Sequence, residues 1–357
     1  MRRALQIFLP ALAALVALAL PGVAAAKVPA DFYGISAVDP TDHDYAQIAK
    51  TGFGVSRFEI SWRVVQQTRH GKYDWTYVDD RVRQIAKAGL QPAPIVYGTP
   101  RFIRESPDGF YPPTESAEDR TAWQELLAEA TARYGPGGAF WDENPGVPSS
   151  PVRQWIIWNE ENARPFWRPK ASPRDYATLV KISDQAISPI DPMAKIVLGG
   201  IYGYPKDQRS MSAVHFLQGF YRVKKIQHHF DSISLHPYGS GVASVRKQIL
   251  QARSVARKAG DGGVGILIGE LGWASSGPSK SEPVVGARGQ ATRLRHGLKL
   301  LVNKRDAWNI VGVYVYVWRD FSLASPCLWC PGAGLVEADG TAKPALSAVR
   351  SVIRATR

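Results

Sequence analysis

The chain has 357 residues, 45% of them hydrophobic and 21% charged, with a formal net charge of +13. That apolar share supplies a folded core and excludes a disordered or fibrous chain. Length alone would allow two domains, but barrels of alternating strands and helices run to about 250 residues or more as one unit, so one domain is expected.

The N-terminus reads as an export signal. Arg2 and Arg3 supply positive charge, residues 11–20 an apolar core, and Ala24-Ala25-Ala26 a small-residue cleavage site. Cleavage after Ala26 is expected, leaving 27–357 as the mature domain with a charge of +11 once the two arginines are gone. A retained anchor is disfavoured by Pro10 and by an apolar stretch shorter than the roughly 20 residues that span a bilayer.

Beyond the leader, apolar runs suited to strands recur at 32–37, 54–60, 94–97, 152–158, 195–200, 232–236, 265–269 and 311–317. Helical patterns fall between them at 78–88, 117–134, 174–187, 245–258 and 291–302, the third carrying Ser172 as a cap and Pro173 in its first turn. Short apolar strands alternating with helices imply a parallel sheet, and eight strands are the number that closes a (β/α)8 barrel. The Gly- and Pro-rich stretch 134–150 reads as a surface excursion, and 99–113 and 202–210 as long loops on the face where the strands end.

Two of these strands end in an acid. The fourth runs into Trp158-Asn159-Glu160-Glu161, and the seventh into Gly269-Glu270-Leu271-Gly272-Trp273. In parallel α/β folds the chemistry sits at the C-terminal ends of the strands. Two carboxyls delivered there meet the needs of glycosidic bond cleavage, in which one protonates the departing oxygen and the other stabilises positive charge at the sugar carbon.

Several short pieces standing in order carry a resemblance: Ser56-Arg57-Phe58-Glu59-Ile60-Ser61-Trp62, Trp158-Asn159-Glu160, Leu235-His236-Pro237-Tyr238, Gly269-Glu270-Leu271-Gly272-Trp273, and Val317-Trp318. Over roughly 31–352 the chain resembles the retaining glycoside hydrolases of clan A, built on (β/α)8 barrels, and within them the branch of family 39 and the biofilm-polysaccharide hydrolases. The resemblance implies a general acid/base at Glu160 and a nucleophile at Glu270, working by double displacement on a poly- or oligosaccharide. Many relatives carry proline after the acid/base, where this chain has Glu161. Such a third carboxyl would either raise the pKa of Glu160 by repulsion or point into solvent, and the polar loop that follows favours solvent.

By the same likeness Arg57 would keep Glu270 ionised against the cost of burial, and the Asn159 amide would donate to the sugar 2-hydroxyl. His236 and Tyr238 leave the sixth strand on one face and would reach the carboxyls, with Tyr238 as donor to Glu270. Trp318 would form the floor under the reacting sugar, and Trp62, Trp167, Trp273 and Trp329 would extend that platform. A non-hydrolytic carbohydrate-binding barrel and a transglycosylase acting on wall or capsular glycan are the rival readings.

Cys327 and Cys330, the only cysteines, fit a disulfide in an exported protein, worth about 2 kcal/mol in chain entropy and able to stiffen a loop at the mouth of the site. No cofactor or metal is expected; His228 and His229 lack acidic partners at ligand spacing. Basic residues such as Arg246, Lys247, Arg253, Arg257 and Lys258 read as the solvated face of a helix and match no nucleic-acid motif, although a positive field would also draw anionic glycans. A secreted or wall-associated monomer without membrane insertion is the expectation.

Overall fold

The computed structural model describes residues 27–106, 108–278, 280–321 and 327–357. The export signal at 1–26 lies outside the described residues. Eight staves close a parallel barrel: β1 (Tyr33–Ser36), β2 (Val55–Ser61), β3 (Gln91–Tyr97), β4 (Gln154–Ile157), β5 (Lys195–Leu198) with its two-residue continuation β6 (Ile201–Tyr202), β7 (Ser232–His236), β8 (Gly265–Leu271) and β9 (Ile310–Val315). Closure comes from β1 pairing with both β2 and β9, and from Val197 of β5 meeting Ser232 of β7.

β3 begins three residues earlier than the apolar pattern suggests, because it takes in Pro92 and Pro94. Prolines two apart lose their N–H groups on the same side of a strand. Both fall where β3 pairs with β2; the pairing with β4 begins only at Ile95.

The long helices α3 (Thr76–Lys87), α4 (Ala117–Tyr134), α6 (Pro173–Ile187), α8 (Val242–Lys258) and α9 (Gly286–Trp308) lie close to the expected spans. Ser172 does cap α6, accepting from the Asp175 N–H, with Pro173 in its first turn. Three helices fall outside the expected spans, α1 (Asp42–Thr51), α7 (Ala213–Tyr221) and α10 (Pro344–Thr356), as do the short α2 (Trp62–Val65) and α5 (Ala139–Glu143). The first starts with a Thr41/Asp44 capping box and buries Tyr45 and Ile48 at helical spacing. The last ties the ends of the barrel together, its Thr356 carbonyl accepting from the Val28 N–H.

Two apolar regions result. A small inner cluster, including Val55, Ile95, Ile156, Val197, Leu267 and Tyr314, fills the barrel, and a large outer one lies between staves and helices. Alternation along β2 stacks Val55, Arg57 and Glu59 up the inside while Phe58 and Ile60 face the helices. On the surface, Arg246, Lys247, Arg257 and Lys258 of α8 are exposed as expected. Arg253 is not: it is buried and donates to the carbonyls of Gly262 and Trp308, serving backbone groups left open where α9 ends.

Between β5 and β6, Gly199 and Gly200 break the stave, and Gly200 has φ +91° with the His236 ring Nε2 only 2.1 Å from where a Cβ would stand. Gly200→Ala should therefore cost about 2–4 kcal/mol through backbone strain and overpacking. Gly89→Ala, at φ +72° but with open space around it, should cost only about 1 kcal/mol. Urea denaturation of both variants checks the contrast.

Candidate active site

Strand alternation alone does not aim the two glutamates. On β8, Leu267 faces the barrel interior and Ile268 the helices, so strict alternation would turn Glu270 outward. A register irregularity against β9 between Ile268 and Leu271 re-aims it into the cavity. On the other side, β4 ends at Ile157, and both Trp158 (φ +72°) and Glu160 (φ +42°) adopt left-handed backbone. Such conformations are uncommon outside glycine and persist only where surroundings hold them. Here the Trp158 N–H donates to the Val96 carbonyl, its indole to the Phe166 carbonyl, and the Glu160 N–H to the Gly199 carbonyl. Asn162 pins the next turn by bonding the backbone of Tyr202 and Met211.

The result is convergence. Oxygens of Glu160 and Glu270 and a ring nitrogen of the buried His236 all lie within 4.8 Å of one another, and the two glutamates line a cavity of about 530 Å³. Arg57 forms an ion pair with Glu270 Oε1, and the Tyr238 hydroxyl donates to Glu270 Oε2. Arg57 also donates to the Gly269 carbonyl and contacts His236 Nε2 at 3.3 Å. A guanidinium only donates, so that nitrogen is the acceptor and the imidazole proton sits on Nδ1. His236 Nδ1 then donates to Glu160 Oε1 at 2.9 Å and lies 3.5 Å from Glu270 Oε2.

These contacts drive the two acids apart. Burial pushes the Glu160 carboxyl above its ordinary range, with the Glu270 charge adding to the effect and the His236 hydrogen bond opposing it. Burial would raise Glu270 too, but the Arg57 charge, with hydrogen bonds from Tyr238 and Arg57, outweighs it and holds Glu270 low. One carboxyl is thus kept protonated more readily and the other ionised. Glu160, His236 and Glu270 are also the one set among the described residues that converges as a metal site would. Arg57 and Tyr238 already occupy Glu270, so a cation would have to displace a guanidinium.

Aromatic rings line the cavity, though mostly not the expected ones. Tyr97, Phe110 and Phe166 form one wall; Tyr202, Tyr238, Tyr316 and Trp329 form the other, with Trp329 edge-on to Tyr238 at 4.7 Å. Trp318, expected as the floor, is buried and donates its indole N–H to Asp44 Oδ1 at 2.8 Å. Trp62 is likewise buried, bonding Gln66 and packing against Trp123; Trp273 donates to the Gly239 carbonyl; Trp167 sits behind Trp158. Tyr316, two residues beyond the inward Tyr314, lines the cavity, while past the end of β9 at Val315 the chain carries Trp318 to Ser36 and Asp44 instead. Asn159 lines the cavity, as do Cys327 and Cys330, joined in a disulfide with Cα atoms 5.4 Å apart. Glu59, Tyr97, Tyr202 and Tyr316 carried a legible signal only in the inward parity of their strands.

No protein-family model matches the sequence, and neither does any curated protein. Solved structures match in fold. A family 39 glycoside hydrolase from Bacteroides cellulosilyticus WH2 superimposes with a TM-score of 0.63 at 19% identity, covering 91% of this chain and 63% of that one. This chain thus spans under two thirds of that structure's length. A monomeric β-xylosidase from Caulobacter crescentus CB15 gives 0.66 at 18% identity over 91% and 69%, and a GH5_18 protein from Bifidobacterium longum subsp. infantis gives 0.66 at 15% over 91% and 79%. The shared feature is the closed (β/α)8 barrel seen in glycoside hydrolases of families 39 and 5.

Glu161 departs from the solvent-facing position expected of it. The turn held by Asn162 folds it inward, where it is 0% exposed beside Gly199 and Tyr176, and neither of its oxygens accepts a hydrogen bond of good geometry. Burial, with the nearby Glu160 charge, pushes its carboxyl up to about 8. The native state therefore holds this proton where the unfolded chain has lost it, and stability falls as pH rises from about 4.5 to about 8. Glu161→Gln should remove that slope and stabilise the protein at pH 7 by roughly 3 kcal/mol. Thermal unfolding of both proteins from pH 5 to 9 checks this: parallel curves would refute a buried, protonated Glu161.

Proposed function

We propose that the protein is a retaining glycoside hydrolase acting on an oligo- or polysaccharide. The observation that carries this is the approach of Glu160 and Glu270 to within 4.8 Å inside an aromatic-lined cavity, in surroundings that favour opposite protonation states. Carboxyls about 5 Å apart leave room for direct attack on the sugar; inverting enzymes need a wider gap to fit a water.

In the cycle that follows, His236 Nδ1–H occupies Glu160 Oε1, so the acidic proton sits on Oε2 and passes from there to the departing glycosidic oxygen. Glu270, held ionised by Arg57 and Tyr238, attacks the anomeric carbon and forms a glycosyl ester. Glu160, now a base, takes a proton from water as that water opens the ester, and the sugar leaves with its original configuration. Asn159, which lines the cavity, donates to the 2-hydroxyl in this cycle as charge develops on the ring. Ring faces such as those of Tyr316 and Trp329 suit the apolar C–H faces of a pyranose.

The solved structures with this fold include a β-xylosidase and other glycoside hydrolases, which favours an O-glycosidic bond as the target. Export is the proposed location, in keeping with the leader sequence and with a disulfide, a bond that persists in oxidising compartments. Among the described residues no helix is long and apolar enough to cross a membrane.

Glu160→Ala and Glu270→Ala should each lower turnover of a cleaved glycan by on the order of 10³-fold or more, with unchanged circular dichroism. Activity should fall below the pKa of Glu270 and above that of Glu160, giving a bell. Proton NMR of the first-formed product should report retained anomeric configuration. Inversion, or full turnover by either variant, would overturn the assignment.

A further inference from the structure

The charge inside the cavity is opposite to that of the molecule. The chain as a whole is strongly basic, but of the residues lining the cleft only Arg57 is cationic, while Glu59, Glu160 and Glu270 are acidic. Arg57 is already committed to Glu270, leaving a net negative lining among the described residues.

Glu59 is the member of this set that the reaction does not use. It stands two residues beyond Arg57 on the inner face of β2, about 7 Å nearer the mouth by strand geometry. Its carboxylate is open to the cavity, and it forms no ion pair with any described residue. Its partner is the Tyr97 hydroxyl, which donates to Oε2 at 2.9 Å. The Tyr97 ring in turn stacks with Phe110, centroids 6.2 Å apart and planes 13° from parallel. A carboxylate without an ion-pair partner, held by a tyrosine hydroxyl and exposed to the cleft, is a site for a cation whose charge it neutralises.

We propose that Glu59 and Tyr97 form a subsite selecting sugars that carry a free, protonated amino group, so that the substrate is an amino sugar polymer that is at least partly unacetylated. This rests on the glycan-cleaving reading of the cleft and narrows its substrate class. A hydroxyl in the same place would hydrogen-bond to Glu59 but leave its charge unbalanced. A uronate, sulfate or phosphate would meet repulsion from the Glu59 carboxylate, which no described cation pairs with. The basic exterior therefore does not define the ligand; the acidic interior does. N-acetylation removes both the charge and the fit, because an amide carries no cation for Glu59 to pair with.

Binding can be measured without turnover on the full chain carrying Glu160→Gln. The probes are glucosamine and galactosamine oligosaccharides, α- and β-linked, each as the free amine and as its N-acetylated counterpart, with oligouronates as the anionic comparison. At least one free-amine probe should bind about ten-fold or more tightly than its acetylated twin. That ratio should collapse toward one when Glu59→Gln is added and survive Glu59→Asp, which keeps the charge. Equal binding of the paired probes, tighter binding of an oligouronate, absence of binding by every amine, or a ratio indifferent to Glu59→Gln would each overturn the proposal. Should the wild-type protein bind amines through Glu59 yet cleave no glycan, the hydrolase reading fails and this one stands; cleavage of neutral glycans without amine preference gives the reverse.

Discussion

One guanidinium organises the centre of this barrel. Arg57 lies on the inner face of β2 and reaches across to β8, where it pairs with Glu270 and bonds the Gly269 carbonyl, and to β7, where it meets His236 Nε2. Because it can only donate, it fixes the imidazole tautomer, and that tautomer in turn presents Nδ1–H to Glu160. A single cation thus sets the charge of one carboxyl directly and the hydrogen bonding of the other through a relay. Without it, Glu270 would lose the ion pair that opposes the upward shift burial imposes on both carboxyls.

Holding such a cluster in place needs rigid surroundings, and the large aromatic residues provide them. Trp62, Trp123, Trp158, Trp167 and Tyr176 form a continuous run of edge-to-face and tilted contacts behind β4. Trp158, in its left-handed backbone, is clamped by that run, which is what allows Asn159 and Glu160 to turn toward the cavity. The indoles support the cluster from behind, while tyrosines, phenylalanines and Trp329 line the cavity. Glu161 belongs to the supporting layer: a protonated carboxyl fills a place against Gly199 and Tyr176 that an ionised one could not occupy cheaply.

The same geometry separates two electrostatic zones. Cations such as Arg246, Lys247, Arg257 and Lys258 stand on the outer helices, where solvent screens them. Acids gather inside the staves, where walls of low polarity preserve their field. A basic protein can therefore carry an acidic cleft, and overall charge is a poor guide to what that cleft accepts.

Sequence by itself determined the architecture and the acids. Eight apolar runs separated by helical patterns are enough to specify a parallel barrel, since the side-chain periods of strand and helix differ and each run has one way to be buried. Glu160 and Glu270 stood out because a carboxyl directly after an apolar strand has nowhere to go but the strand ends. Orientation was a different matter. The register irregularity that turns Glu270 inward, the left-handed backbone at Trp158 and Glu160, the inward fold of Glu161, and the exchange of Trp318 for Tyr316 as a lining residue all depend on which neighbour each residue meets. Those neighbours are tens to hundreds of positions away along the chain. A one-residue change of register reverses a side chain's face at no cost to local propensity, so only the assembled tertiary structure could decide which aromatic and acidic groups look into the cleft.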